Sequence, residues 1–435
     1  MTVLDASGFC TRCQRHETEG CEHVVPRTDA PSPEARSDIS GQLLTETRAL
    51  FHRWLGADYD TGALDAVLST AAAERLQGDP CWLLVVSGSG AAKTETVMPL
   101  AGAGAVIVST ISGEAALLSG TSEKERSKDA TGGLLRKIGS DGLLVIKDFT
   151  SIISMHRDTR ASVMAALREV CDGRWDRDIG ADGGKTLTWK GRLVVIGAVT
   201  TAWDSAHSVV SAMGDRFVLV RVDSAKSHSR RAAGLQALRN TNHETDMREQ
   251  LSHCVGRLLD GVQRDAEVTL TDDEMLALLD LADIVTLART AVERDYAGNV
   301  VQAHAPEMPT RFTKQLGQIV RGGIALGMPR EEALAVAVRC AGDSMPPLRL
   351  RVLLDVAAHP DSPTRDVVKR LQLPRKTVDR VLQELHLLGL LTVDEVEYGN
   401  DRVRWIYSLA EEISRPAVEK LARNVTPPAR EDENS

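Results

Sequence analysis

The chain predicts a three-layer α/β core, then an α-helical region, then a small helix-and-hairpin unit. Three observations predict this. Five short, continuous apolar runs alternate with helical patterns between about residues 60 and 225, as expected of strands buried on both faces of a parallel sheet. From Ala225 to Gly342 the periodicity is almost wholly helical. After Pro346-Pro347, three helical patterns are followed by two alternating segments. At 435 residues the chain is long enough for two or three folded units.

The elements run in order along the chain. Cys10-x2-Cys13, Cys21 and His23 supply four candidate ligands for Zn²⁺, since paired thiolates on tight turns can grip one ion without an apolar core. The spacing between the two pairs is short for a zinc finger, and the alternative is a terminus whose cysteines bind nothing. Cys81, Cys171, Cys254 and Cys340 stand alone in apolar or helical runs and are expected to be small buried hydrophobes. Val24 to Ser40, rich in Pro, Ser, Asp and Arg, reads as a linker, so residues 1–40 form a cysteine-rich knuckle and linker. Helices are expected over Gln42–Leu55 and Thr61–Leu76, before the Gly78-Asp79-Pro80 breaker. Strands are expected at Cys81–Val86, Ala105–Ser109, Leu143–Ile146, Leu193–Val199 and Phe217–Val222. The core spans 41–225, a helical lid 226–343, the terminal unit 346–411, and 412–435 is a charged tail expected to fray.

Composition narrows the function classes. No run approaches 18 apolar residues and the first 20 residues lack an apolar leader, which argues against membrane spanning and secretion and for a reducing cytoplasmic setting. The net charge of −9 argues against coating nucleic acid by bulk electrostatics, so any such contact must be local. Aromatics at 3% leave little for a surface of stacked rings.

The chemistry-bearing motif comes directly after the first strand: Ser87-Gly88-Ser89-Gly90-Ala91-Ala92-Lys93-Thr94-Glu95. A glycine-rich turn between buried strand and helix can wrap phosphates with backbone N–H groups. Lys93 would neutralise the β and γ oxygens of ATP, and Thr94 would hold Mg²⁺. The loop resembles the Walker A motif of P-loop NTPases with two departures, Ser87 at the first glycine and Ala92 at the last. A Cβ at 92 would strain the turn by about 1–2 kcal/mol and weaken nucleotide binding. The alternative is a Gly/Ala-rich turn without a ligand.

Leu143-Leu-Val-Ile-Lys-Asp148 ends a strand in a carboxylate, a Walker B candidate completing the Mg²⁺ shell. Phe149 comes next, where many ATPases carry a water-activating glutamate, so the base is unidentified. Thr200 tips the next strand, Arg216 precedes the last one, and Arg311 opens a helix at Pro309-Thr-Arg-Phe. This ordered set, over about residues 60 to 343, resembles the AAA+ ATPases. The resemblance implies Thr200 as sensor 1, Arg216 as a finger reaching a neighbouring subunit in a ring or arc, and Arg311 as sensor 2 on the lid. Each arginine has a plain ion-pairing alternative. Arg174 to Lys190 spells a hairpin around Ala181-Asp-Gly-Gly184, similar to the pre-sensor insertion of MCM helicases and sigma-54 activators. Five Lys/Arg against three Asp from Arg174 to Arg192 gives +2, compatible with DNA contact and equally with a solvated hairpin. No stretch resembles the GAFTGA loop of sigma-54 activators.

The terminal pattern, helices over Leu348–Ala358, Thr364–Leu371 and Arg375–Leu388, then Leu390–Val393 and Val403–Leu409 around Tyr398-Gly-Asn-Asp401, resembles a winged helix-turn-helix. The resemblance implies DNA contacts from Arg375, Lys376, Thr377 and Arg380 on the third helix and from Arg402 and Arg404 on the wing. Residues 346–409 hold ten Lys/Arg and nine Asp/Glu, or +1, which leaves −10 for the rest. The expectation is a DNA-remodelling or unwinding AAA+ ATPase of helicase or replication-initiation type. The alternatives are a winged-helix transcription regulator with a degenerate, non-hydrolysing nucleotide site, and a winged helix and cysteine cluster that only dock protein partners.

Overall fold

The computed structural model describes residues 33–120, 131–180, 184–205, 216–223, 227–397 and 403–424. Cys10, Cys13, Cys21, His23 and Arg402 lie outside the described residues. The described residues from Ser40 onward form one compact unit, and the described residues up to Ile39 belong to a separate one.

Helix α1 (Pro33–Leu55) starts well inside the segment read as linker, because proline is at home in a first helical turn and Glu34-Ala35-Arg36 are helix formers. Helix α2 (Thr61–Ala72) is capped by Asp60, whose carboxylate accepts the Ala63 N–H. Then come strand β1 (Trp82–Val86), helix α3 (Lys93–Val97), β2 (Val106–Val108), short helices α4 (Glu114–Leu117) and α5 (Leu134–Ile138), β3 (Asp141–Ile146), α6 (Thr150–Ile153) and α7 (Arg157–Cys171). An antiparallel hairpin, β4 (Arg174–Ile179) with β5 (Lys185–Lys190), precedes β6 (Arg192–Val199) and β7 (Val218–Arg221). The expected hairpin is present; the middle of its turn, 181–183, is outside the described residues.

The sheet is five-stranded in the order β2-β3-β6-β1-β7 with every pair parallel. Alternation along β1 explains the layers. Leu83 and Val85 join one apolar core with α2 and later helices, whereas Trp82, Leu84 and Val86 join a second with α7. Burial on both faces accounts for the unbroken Trp-Leu-Leu-Val-Val run. This is a mixed α/β architecture built on a central, parallel five-stranded sheet.

The chain continues through α8 (Ser227–Asn240), α9 (Glu244–Asp260) and α10 (Asp272–Arg289), the last opened by a capping box between Thr271 and Glu274. A hairpin then interrupts the region read as almost wholly helical: β8 (Val292–Arg294) pairs with β9 (Val300–Ala303). Only two short strands flank a Gly298-Asn299 turn, too little alternation to stand out against the helical pattern. Helices α11 (Thr310–Ala325) and α12 (Arg330–Asp343) come next. The terminal unit consists of α13 (Pro347–Ala358), β10 (Ser362–Pro363), α14 (Thr364–Leu371), α15 (Arg375–Leu387), β11 (Leu391–Glu397) and β12 (Val403–Leu409), the strands ordered β10-β12-β11. The segment read as a fraying tail instead forms α16 (Arg415–Asn424), which buries Ala417, Val418 and Leu421, with Leu421 packed against Gly342. That i, i+1, i+4 stripe outweighs the charge of the segment. Of the four lone cysteines described, three are buried and Cys254 is half-buried.

Candidate nucleotide site

A parallel sheet brings together whatever lies beyond the ends of its strands, and β3, β6 and β1 are neighbours here. Val86 pairs with Val199, and Phe149 N–H donates to Ala198 O at 2.8 Å. Ser87, Thr200 and Asp148 therefore emerge side by side at one edge, in the crevice where open α/β sheets take ligands.

The loop 87–92 curls over that edge. Gly90 takes φ +79° and Ala92 takes φ 54°, ψ 19° at the start of α3. The anticipated strain at Ala92 is thus present. Lys93 Nζ donates to Ser87 O at 3.0 Å, Ser87 Oγ at 2.9 Å and Gly88 O at 2.6 Å. Burial lowers the Lys93 pKa, with the Asp148 carboxylate acting in the opposite sense. Thr94 and Asp148 are exposed at this edge. One hydroxyl and one carboxylate are hard oxygen donors, which suits Mg²⁺, an ion bound through few protein oxygens and completed by phosphates and water. Among the described residues no group of three or more His, Cys, Asp or Glu is placed to hold a metal. Ser89 is exposed, and Gly88 and Ala91 are half-buried. Glu95 turns toward Arg248 of α9, 3.9 Å away.

Two features of this edge escaped sequence reasoning. Thr150 Oγ1 accepts the Thr200 N–H at 3.0 Å and lies 3.4 Å from Thr200 Oγ1; nothing in the local sequence marks a contact across fifty residues. Phe149 is fully buried and meets Phe217 edge-on at 5.1 Å and Trp203 at 6.2 Å. The position after Asp148 thus anchors the core beneath this edge.

Arg216 and Arg311 lie elsewhere. Register places Val218 beside Leu83, so Arg216 is level with Cys81, six residues along the sheet from Ser87, roughly 20 Å at 3.3 Å per residue. Arg216 Nη2 reaches Asp172 Oδ2 at 3.3 Å, and Gln315 Nε2 donates to Arg216 O at 2.7 Å. Helix α11 runs under this opposite edge, its Lys314 pairing with Asp79 at 2.8 Å and Arg311 with Glu307 at 3.1 Å. Cys171 sits among them, its thiol pushed up to about 12 by burial, with Arg216 and Arg311 both near enough to oppose the shift. The two arginines share one edge, and it is not the edge of their own chain's loop.

On the terminal unit, Arg375 and Lys376 are exposed in the first turn of α15, Thr377 and Arg380 are half-buried, and Arg404 is exposed on β12. Asp394, Glu395 and Glu397 line the facing strand β11.

No protein-family model matches the chain, and no curated protein matches it. Among solved structures it is similar to a full-length MCM homolog from Methanopyrus kandleri, at 13% identity and TM-score 0.36, over 73% of this chain and 63% of that one. It is also similar to the Aeropyrum pernix ORC1 protein in complex with DNA, at 13% identity and TM-score 0.26, over 84% and 92% of the two chains. A third is the NrS-1 C-terminal region, at 11% identity and TM-score 0.22, over 85% and 75%. The chain spans less than two thirds of the first of these, and likenesses this distant carry no argument about function. No described helix is long and apolar enough to cross a membrane.

Proposed function

We propose that the chain is an AAA+ ATPase that binds ATP with Mg²⁺ at the loop edge, assembles as a homo-oligomeric ring or arc, and binds DNA through a C-terminal winged helix. On this reading residues 41–225 are the motor core, 226–343 its lid and 346–411 the DNA reader, with a zinc knuckle at Cys10, Cys13, Cys21 and His23. The observation that carries it is the convergence of Lys93, Thr94, Asp148 and Thr200 from three adjacent strand ends. Loop N–H groups and Lys93 hold the triphosphate, while Thr94 and Asp148 hold Mg²⁺, which supplies charge neutralisation at the phosphates. Thr200, held by Thr150, faces the terminal phosphate. Arg216, some 20 Å from its own loop by strand register, and Arg311 at the same edge, serve the loop of a neighbouring copy. Arg375, Lys376, Thr377, Arg380, Arg402 and Arg404 face DNA, with Arg404 on a strand opposite the carboxylates of β11. Turnover drives DNA remodelling or unwinding of helicase or replication-initiation type.

The test is phosphate release by the purified chain with and without single- and double-stranded DNA, beside Lys93→Ala. The variant should lose DNA-stimulated release; an unchanged rate sinks the assignment. A second reading is a winged-helix transcription regulator whose nucleotide site does not hydrolyse. The core position of Phe149 and the left-handed Ala92 favour it, and robust hydrolysis by the wild-type chain excludes it.

A further inference from the structure

We infer that the β8–β9 hairpin and helix α15 form one rigid surface for duplex DNA, with Tyr296 at the hairpin tip resting on the sugar–phosphate backbone beside the groove that takes α15. The inference rests on the proposal that the terminal unit binds DNA, and it adds a contact from outside that unit.

The hairpin crosses the flank of α15. Gly298, at φ +81°, comes so close that a Cβ there would stand 2.8 Å from Arg380 Nη2. Two residues earlier in the same turn, Tyr296 is 105% exposed, the most exposed large hydrophobic side chain among the described residues. The turn that holds it is braced. The Asp295 carboxylate accepts Asn299 N–H at 2.7 Å and Asn299 Nδ2 at 2.8 Å, and Gly298 N–H donates to Asp295 O at 2.9 Å.

The hairpin is also locked to the helix. Arg294 Nε donates to Glu384 Oε1 at 3.2 Å, and Arg349 Nε donates to Glu384 Oε2 at 2.9 Å. Arg349 Nη1 then donates to the Ala288 and Thr290 carbonyls at 2.7 Å each. Glu384 and Arg349 are buried at 2% and 8% exposure, so removing Glu384 leaves the Arg349 guanidinium away from water without a counter-charge. Hairpin, α10 and α15 are thereby held in one geometry.

Charge identifies the occupant. The accessible arc of α15 presents Arg375, Lys376 and, against the hairpin, Arg380, with the single acid Asp379; the hairpin's own carboxylates are engaged, Glu293 by His304 and Gln302 and Asp295 by Asn299, so the helix offers the cationic strip suited to phosphates. The wing is a poorer second contact, since β11 sets Asp394, Glu395 and Glu397 across from β12. A tyrosine can lay its ring on deoxyribose and donate its hydroxyl to a phosphate, a contact that adds affinity without sequence preference.

The experiment is a fluorescence-anisotropy titration of labelled duplex DNA with the full chain at several salt concentrations. Wild type is compared with Tyr296→Ala, Arg380→Ala and the double Arg375→Ala/Lys376→Ala. Tyr296→Ala should weaken binding about fivefold with the salt slope unchanged, since no charge is lost. Arg380→Ala should lower the slope by about one. If Tyr296→Ala binds like wild type while the double variant weakens, the hairpin contact is wrong and DNA binding by α15 stands. Tighter binding by Tyr296→Ala also overturns the inference, because the hairpin would then mask the helix. If wild type binds no duplex even at low salt, both fail. Tyr296 is outside the core, so the thermal midpoint of its variant should match wild type, which separates a lost contact from a lost fold.

Discussion

Replacing Ala92 by glycine tests how the loop 87–92 is held. At φ 54°, ψ 19°, a residue with a Cβ carries about 1–2 kcal/mol of backbone strain. Glycine removes it but enlarges the unfolded ensemble by about 0.4–1 kcal/mol, so Ala92→Gly should stabilise the fold by about 0.5–1 kcal/mol. Gly90 supplies the converse. It sits at φ +79° with nothing within 4 Å of where a Cβ would stand, so Gly90→Ala isolates backbone conformation from steric clash and should destabilise by a similar amount. In a chain of 435 residues, 1 kcal/mol moves the thermal midpoint by only about 1 °C. Calorimetry should therefore find the two variants on opposite sides of wild type, about 2 °C apart. Calorimetric titration should also show ATP binding tightened in Ala92→Gly, by up to about fivefold. A midpoint for Ala92→Gly at or below wild type would refute the claim that the loop is strained at this residue.

Mixing inactive Lys93→Ala subunits with inactive Arg216→Ala subunits should restore ATP hydrolysis, because a mixed interface pairs an intact loop with an intact arginine; no restoration counts against Arg216 acting on a neighbour. Thr150→Val should lower the hydrolysis rate about tenfold with ATP affinity nearly unchanged, while Thr150→Ser keeps the hydroxyl and most of the rate; an equal loss in both points to packing. Burial pushes the Asp343 carboxyl from 3.8 up to about 6, against the pull of Arg339 and of the Arg221 N–H that it accepts at 2.7 Å. The folded state then binds this proton more tightly than the unfolded state, so stability present below about pH 4 is lost as pH rises through 6, by about 3 kcal/mol for a shift of two units. Asp343→Asn keeps an acceptor for Arg221 and should flatten that part of the pH–stability curve relative to wild type, which denaturant melts from pH 4 to 7 would measure.

Patterns confined to single segments were legible in the sequence. The five parallel strands, the loop and the order of helices in the terminal unit were read within a few residues, because strands packed between two layers demand apolar runs and helical turns demand their own spacing; β2, at the sheet edge, is only half-buried. Missed features depended on partners far along the chain. The β8–β9 hairpin is too short to show alternation, and α16 is only a charged segment until Gly342 gives Leu421 a place to pack. Sequence order likewise placed Arg216 and Arg311 after the loop without saying which edge of the sheet they occupy.

The sequence by itself determined that a glycine-rich turn comes after a buried strand and that a carboxylate and a threonine end two later ones. Local chain geometry suffices for that. Only the tertiary structure decided that these three ends lie side by side, through the insertion of β6 between β3 and β1. It also decided that Phe149 faces the core, that Thr150 holds Thr200, and that both arginines lie at the far edge. Strand order and side-chain facing are settled by long-range packing, which minimises exposed apolar surface over the whole chain and leaves no mark on any one segment.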